Sequence, residues 1–172
     1  KMKQEEINPI LKLAEMETFL TELGCTYTIH QDSTEKDYTY LRPGDICITI
    51  KNPTWEYPMY IDLEKEGEFS LSYYKWHNHY YPEEWDFQRM QKDLQDLLQN
   101  KRCEIILNST KRWLYSGLSE EKLDDTYEAQ KEIKLLPREF QAELEQEEGN
   151  LELIYWDSKG NITKDIPKKT QE

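Results

Sequence analysis

His77 and His79 stand two residues apart, two of the three histidines in a chain of 172 residues. Imidazoles at i and i+2 on a strand point the same way, which is the beginning of a metal site or an acid–base pair. A zinc or iron site needs three or more ligands in a defined geometry. The third would have to be His30, Cys103 or a carboxylate, and no spacing singles one out. The letters His-Asn-His do not make an HNH nuclease, whose named residues are spread over a ββα-metal unit. An exposed or packed histidine pair is the simpler expectation, with no metal ligand and no cofactor.

Carboxylates are the next possibility. Glu83, Glu84 and Asp86, with Glu64, Glu66 and Glu68 earlier, contain enough acids for the carboxylate pair of a glycosidase. They also have a plainer cause. Acids after Pro82 suit the first turn of a helix, where the backbone dipole favours negative charge, and Glu64-Lys65-Glu66-Gly67 is a polar turn. The cysteines offer no nucleophile. Cys25, Cys47 and Cys103 form no Cys-x-x-Cys pair, and the last two lie in apolar strand-like runs that keep a thiol inert. No Gly-x-Ser-x-Gly and no phosphate loop occurs. No catalytic residue is assigned, and a non-enzymatic chain is expected. A metal-dependent enzyme using His77 and His79 remains an alternative.

Non-catalytic chemistry is better represented. Residues 73–87 hold seven of the 21 aromatic residues together with the histidine pair. Tyr and Trp anchor protein interfaces, because a rigid ring supplies much contact area and one polar handle. Strand alternation sends about half of such a block outward. Tyr74, Trp76, Tyr80, Tyr81, Glu83, Glu84 and Trp85 are therefore candidate partner-binding residues. The competing expectation is that the block packs inside.

The elements that must position these residues are legible in outline. Asn8-Pro9, an apolar pattern through Leu23, and then Gly24 spell a helix with Asn8 as cap and Gly24 as left-handed stop. Strand signals follow at residues 25–30, 46–50 and 59–63. Residues 59–76 are expected to form a hairpin. Phe87, Met90, Leu94, Leu97 and Leu98 predict an amphipathic helix after Pro82. Residues 103–107 and 112–117 predict a second hairpin. Farther on, 118–127 suggests a short acidic helix, 132–136 a strand, 138–148 a helix, and 151–156 with 162–166 a hairpin. The expected class is α+β: an antiparallel sheet with helices on one face and a C-terminal helix and hairpin extension. One domain is expected, with a core of residues 1–117, an appended arm at 118–167 and a frayed tail at 168–172.

Charge bears on partners. The net charge is −13, and it is uneven. Residues 1–70 carry 14 acids and 7 bases, residues 71–116 carry 6 and 7, and residues 117–172 carry 15 and 8. Such a field repels nucleic acid and anionic membrane and attracts basic partners. No apolar run approaches the ~18 residues of a membrane span, and no leader-like segment stands out. A cytoplasmic chain that contacts neither membrane nor nucleic acid directly is expected.

The order of motifs in residues 68–117 adds a resemblance. A strand closing on Trp76, His77 and His79 is followed by an acidic helix start at Trp85, an amphipathic helix through Leu97 and a hairpin holding Trp113. That arrangement resembles the small acidic cytosolic immunity proteins of bacterial polymorphic and contact-dependent toxin systems. It spans 50 of 172 residues. The resemblance implies a protein without catalytic residues that binds a cognate, often basic, toxin domain and blocks it. The alternative within binding proteins is another acidic inhibitor or nucleic-acid mimic, such as a phage anti-CRISPR or anti-defence protein.

Overall fold

A computed structural model describes residues 5–31 and 35–169. The fold is α+β, and the chain divides into two compact units, residues 1–95 and 96–172.

The first unit opens with a 3-10 turn, Pro9–Lys12, that runs into α1, Leu13–Glu22. Asn8 does not cap this helix. Its side-chain oxygen instead accepts from the backbone N–H of Glu66 at 3.0 Å. The far end behaves as the sequence implies. Gly24 has φ +73°, and the N–H of Cys25 reaches back to the Leu20 carbonyl at 3.0 Å, the bond of a left-handed glycine stop.

Five antiparallel strands follow in a simple meander: β1 Tyr27–His30, β2 Ile46–Ile50, β3 Met59–Leu63, β4 Phe69–Tyr73 and β5 Trp76–Tyr80. Their register lines apolar residues into rows. Ile46, Leu63, Phe69 and Tyr80 form one row, and Ile50, Met59, Tyr73 and Trp76 another. All eight are buried. The helix α2, Glu84–Leu98, covers this face. Phe87 packs on Phe69 with ring centres 5.1 Å apart, and the Tyr80 hydroxyl donates to Asp93 at 2.7 Å.

The opposite face of the sheet is polar. Its rows read His30, Cys47, Asp62, Ser70, His79 and Thr28, Thr49, Tyr60, Ser72, His77. Part of it is roofed by the segment before β2. Tyr38 stacks on His30 at 3.7 Å, and the Tyr40 hydroxyl donates to Asp62 at 2.8 Å. Cys47 is fully buried there, and that burial pushes its thiol up to about 12.

The second unit carries its own four-stranded antiparallel sheet. Its strands are β6 Glu104–Ser109, β7 Trp113–Leu118, β8 Gly149–Ile154 and β9 Ile162–Ile166, in the order β7-β6-β8-β9. This corrects the single sheet expected through residue 117. β6 and β7 do not extend the first meander, because β6 pairs on its other side with β8. Residues 118–167 are accordingly half of the second sheet and its cover. The core holds Cys103, Ile105, Leu107, Leu151, Leu153 and Tyr155 against Ile133, Leu136 and Leu144.

Two local expectations also change. The stretch expected as a strand at 132–136 instead begins within the helical turn α3, Gln130–Ile133, and continues as a turn, and spacing of three places Ile133 and Leu136 in one core. No helix forms at 118–127, where Asp124 accepts from the Thr126 N–H at 2.9 Å. Such side-chain bonds compete with helix formation. The helix α4, Arg138–Gln146, and the β8–β9 hairpin form as the pattern implies.

Candidate functional site

Residues 73–87 run from the end of one strand through a second strand to the start of a helix. Tyr73 ends β4, a two-residue loop of Tyr74 and Lys75 reverses the chain, and β5 returns. The chain then turns at Pro82 into α2. Each side chain's direction follows from this arrangement.

The strand's alternation buries two candidates. Trp76 is 8% exposed and Tyr80 fully buried. They are core residues and present nothing to a partner, a correction to the candidate set. Burial and the adjacent Asp93 carboxylate hold the Tyr80 hydroxyl far above its ordinary range. The carboxylate favours the neutral phenol as hydrogen-bond donor.

Tyr81 is the next outward position after His77 and His79, and Trp85 lies in the first turn of α2. Tyr81 is 62% exposed and Trp85 46%. The Trp85 indole donates to the Glu83 carboxylate. Glu84 pairs with Lys12 of the preceding 3-10 turn at 2.6 Å, and this hydrogen bond lowers the carboxyl below its ordinary value. Asp86 lies beneath, accepting from the Tyr81 N–H at 2.6 Å and from Arg89 at 2.5 Å. The Arg89 guanidinium lies 4.9 Å from the Tyr80 ring centre and 6.0 Å from that of Trp85. The surface is thus aromatic, with its acids held by Lys12, Arg89 and the indole. It is less negative than its composition suggests.

Tyr74 sits at the other end of β5. Its φ is +53°, uncommon for a bulky side chain. Its ring meets Tyr57 at 4.7 Å and Trp55 at 5.4 Å, and the Trp55 indole donates to the Tyr73 hydroxyl at 3.0 Å. Trp55 and Tyr57 were not among the sequence candidates. They lie in an irregular segment between Pro53 and Pro58, which has no periodicity to say which strand it will meet.

The histidine pair is on the polar face. His77 and His79 are exposed, with ring centres 5.4 Å apart, and His79 Nδ1 lies 3.4 Å from Glu68. His30 is four strands away in the same row, about 19 Å at the usual strand spacing. Cys103 lies inside the second unit's core. Among the described residues no group of three or more His, Cys, Asp or Glu side chains is placed to hold a metal ion. No described helix is long and apolar enough to cross a membrane.

The second unit has a cleft of about 480 Å³ lined by Asn100, Lys122, Leu123, Asp124, Tyr155 and Asp157, among others. Several of its polar groups bond one another. Tyr155 accepts from the Leu123 N–H at 2.7 Å, and Asn100 accepts from the Asp157 N–H at 2.7 Å. No family model, curated protein or solved structure matches the chain.

Proposed function

We propose that this chain is a cytoplasmic, non-catalytic binding protein that occludes a basic protein domain, in the manner of bacterial toxin-immunity proteins. The observation that carries the proposal is the exposure of Tyr81, just before α2, and Trp85, in its first turn, within a segment where Tyr73, Trp76, Tyr80 and Phe87 are buried. Exposed Trp and Tyr beside charged groups are the residues on which interfaces concentrate their energy. Immobilised partly by Glu83 and Arg89, the Trp85 ring would lose little freedom on binding.

Charge supplies the encounter. Residues 1–95 carry 18 acids and 10 bases, and residues 96–172 carry 17 and 12, so both units are negative. Since Glu84 is already held by Lys12, steering comes from the field of the whole chain. The rings then hold what the field brings. Added salt should slow association far more than it speeds dissociation.

The test has two stages. Wild-type protein and a Tyr81→Ala/Trp85→Ala variant are immobilised and exposed to lysate of the native cell. A basic polypeptide retained by the wild type and lost from the variant is identified, and its toxicity is measured with and without coexpression of this chain. Selective retention and rescue of growth support the proposal. Equal retention by both proteins, an acidic partner, or no rescue would overturn it.

A further inference from the structure

The binding reading leaves open how a partner is gripped, and the edge of the first sheet bears on this. β5 is the last strand of the meander, and among the described residues no strand pairs with its outer side. Tyr73 and Trp76 flank the two-residue loop, and the pair closing such a loop is hydrogen-bonded. Hydrogen-bonded pairs then alternate along the ladder. Residues 76, 78 and 80 therefore face β4, and the backbone N–H and C=O groups of His77 and His79 face outward.

Exposed edges invite pairing, and proteins usually blunt them with charges, prolines, bulges or short strands. The other edges here show such devices. β9 carries Lys164 and Asp165. The β6–β7 register shifts between Leu107 and Asn108. β1 is only four residues long and ends under the Tyr38 ring. β5 reads Trp-His-Asn-His-Tyr, without Lys, Arg, Asp, Glu or Pro, and its ladder with β4 is unbroken. Both ends of this edge are marked by aromatic surface. Tyr74, Tyr57 and Trp55 cluster at the start, and Tyr81 and Trp85 stand beyond the finish. The five residues span about 17 Å.

We infer that β5 is a docking edge, on which an extended segment of the basic partner adds as a sixth strand. Main-chain bonds to His77 and His79 would set the register, and the aromatic groups would hold the segment's two ends. The occupant is a basic partner and not a second copy of the chain, because a copy brings the same −13 and a basic strand brings the opposite sign. This inference rests on the binding reading and adds its mode.

The probe is a nine-residue peptide of alternating Lys and Val. Its control has the same charge but an N-methyl group on every peptide nitrogen, which removes the hydrogen-bond donors from both of its edges. Hydrogen exchange is followed by NMR with each. The lysine–valine peptide should slow exchange at the His77 and His79 amides by about tenfold or more, and the control should not. His79→Pro removes an outward N–H and no bond to β4, so it should weaken peptide binding about tenfold with an unchanged Tm. The two-peptide comparison stands even where this variant does not fold. Equal binding of both peptides, no binding of either, or protection elsewhere would overturn edge pairing. So would sedimentation showing a dimer with these amides protected in the absence of peptide. Edge pairing can fail while lysate capture still depends on Tyr81 and Trp85, so the two readings are separately refutable.

Discussion

Tyr80 and Tyr81 are adjacent in sequence and opposite in role. Tyr80 is sealed in the core with its hydroxyl on Asp93, while Tyr81 stands in solvent at the helix start. The same division separates Trp76 from Trp85. Composition treats these four residues alike. What separates them is that Trp76 and Tyr80 occupy the inward positions of the period of two along β5, Tyr81 occupies the next outward one, and Trp85 lies in the first turn of α2. An aromatic block is therefore neither a core nor an interface as a whole; each ring is assigned by its phase in the strand or its place on the helix that follows.

Substitutions can break this contrast. Tyr80→Ala should have the largest effect. It deletes a buried ring and the donor to Asp93, so chemical denaturation should show a loss of about 3–5 kcal/mol. Tyr80→Phe keeps the ring and removes only the hydroxyl, and should cost about 1–3 kcal/mol in the same measurement. Tyr74→Gly should come next. It relieves a left-handed backbone but abandons the Trp55 and Tyr57 rings. These terms oppose, and the net change should stay within about 1 kcal/mol. Trp85→Ala and Tyr81→Ala should change stability by less than about 0.5 kcal/mol. A larger loss would place those rings with the core.

The smallest effect is in pH dependence. The Lys12 hydrogen bond lowers the folded-state pKa of Glu84 below 4.5. Its stabilisation is then fully present above that value and lost as pH falls through the depressed one. At the other limb, burial opposes the charge on Lys12, but hydrogen bonds to Glu84 and Glu15 outweigh burial and raise the ammonium above 10.5. That contribution is present below 10.5 and lost as pH rises through the raised value. Glu84→Gln should flatten both limbs slightly. Denaturation midpoints across pH 3–12, compared with wild type, would check this, and identical profiles would show that the pair is too solvent-screened to matter.

Much of the fold was legible because the first sheet is covered by helix on one face only. The Ile46, Ile48, Ile50 alternation and the stripe at Phe87, Met90 and Leu94 each have a single interpretation. The break between sheets was not legible. Residues 103–107 form a nearly continuous apolar run, which fits a strand in any sheet, and its partner β8 lies more than 40 residues later. The run at 132–136 was too short to tell a strand from a helical turn. In the candidate surface, outward Tyr81 was recoverable from the phase of the alternation and Trp85 from its place at the helix start. Trp55 and Tyr57 were not, because only tertiary contact brings them to Tyr74. The compensation of Glu84 by Lys12 was equally hidden, since it joins residues 72 positions apart.

One comparison decides whether the outward rings serve binding. Partner retention and Tm are measured together for wild type, Tyr80→Phe and Tyr81→Ala/Trp85→Ala. If the outward rings bind and the inward ring folds, the double variant loses the partner at an unchanged Tm. Tyr80→Phe then lowers Tm and keeps the partner at temperatures where it stays folded. Retention by the double variant at wild-type strength, or a fall in its Tm matching that of Tyr80→Phe, would contradict this division.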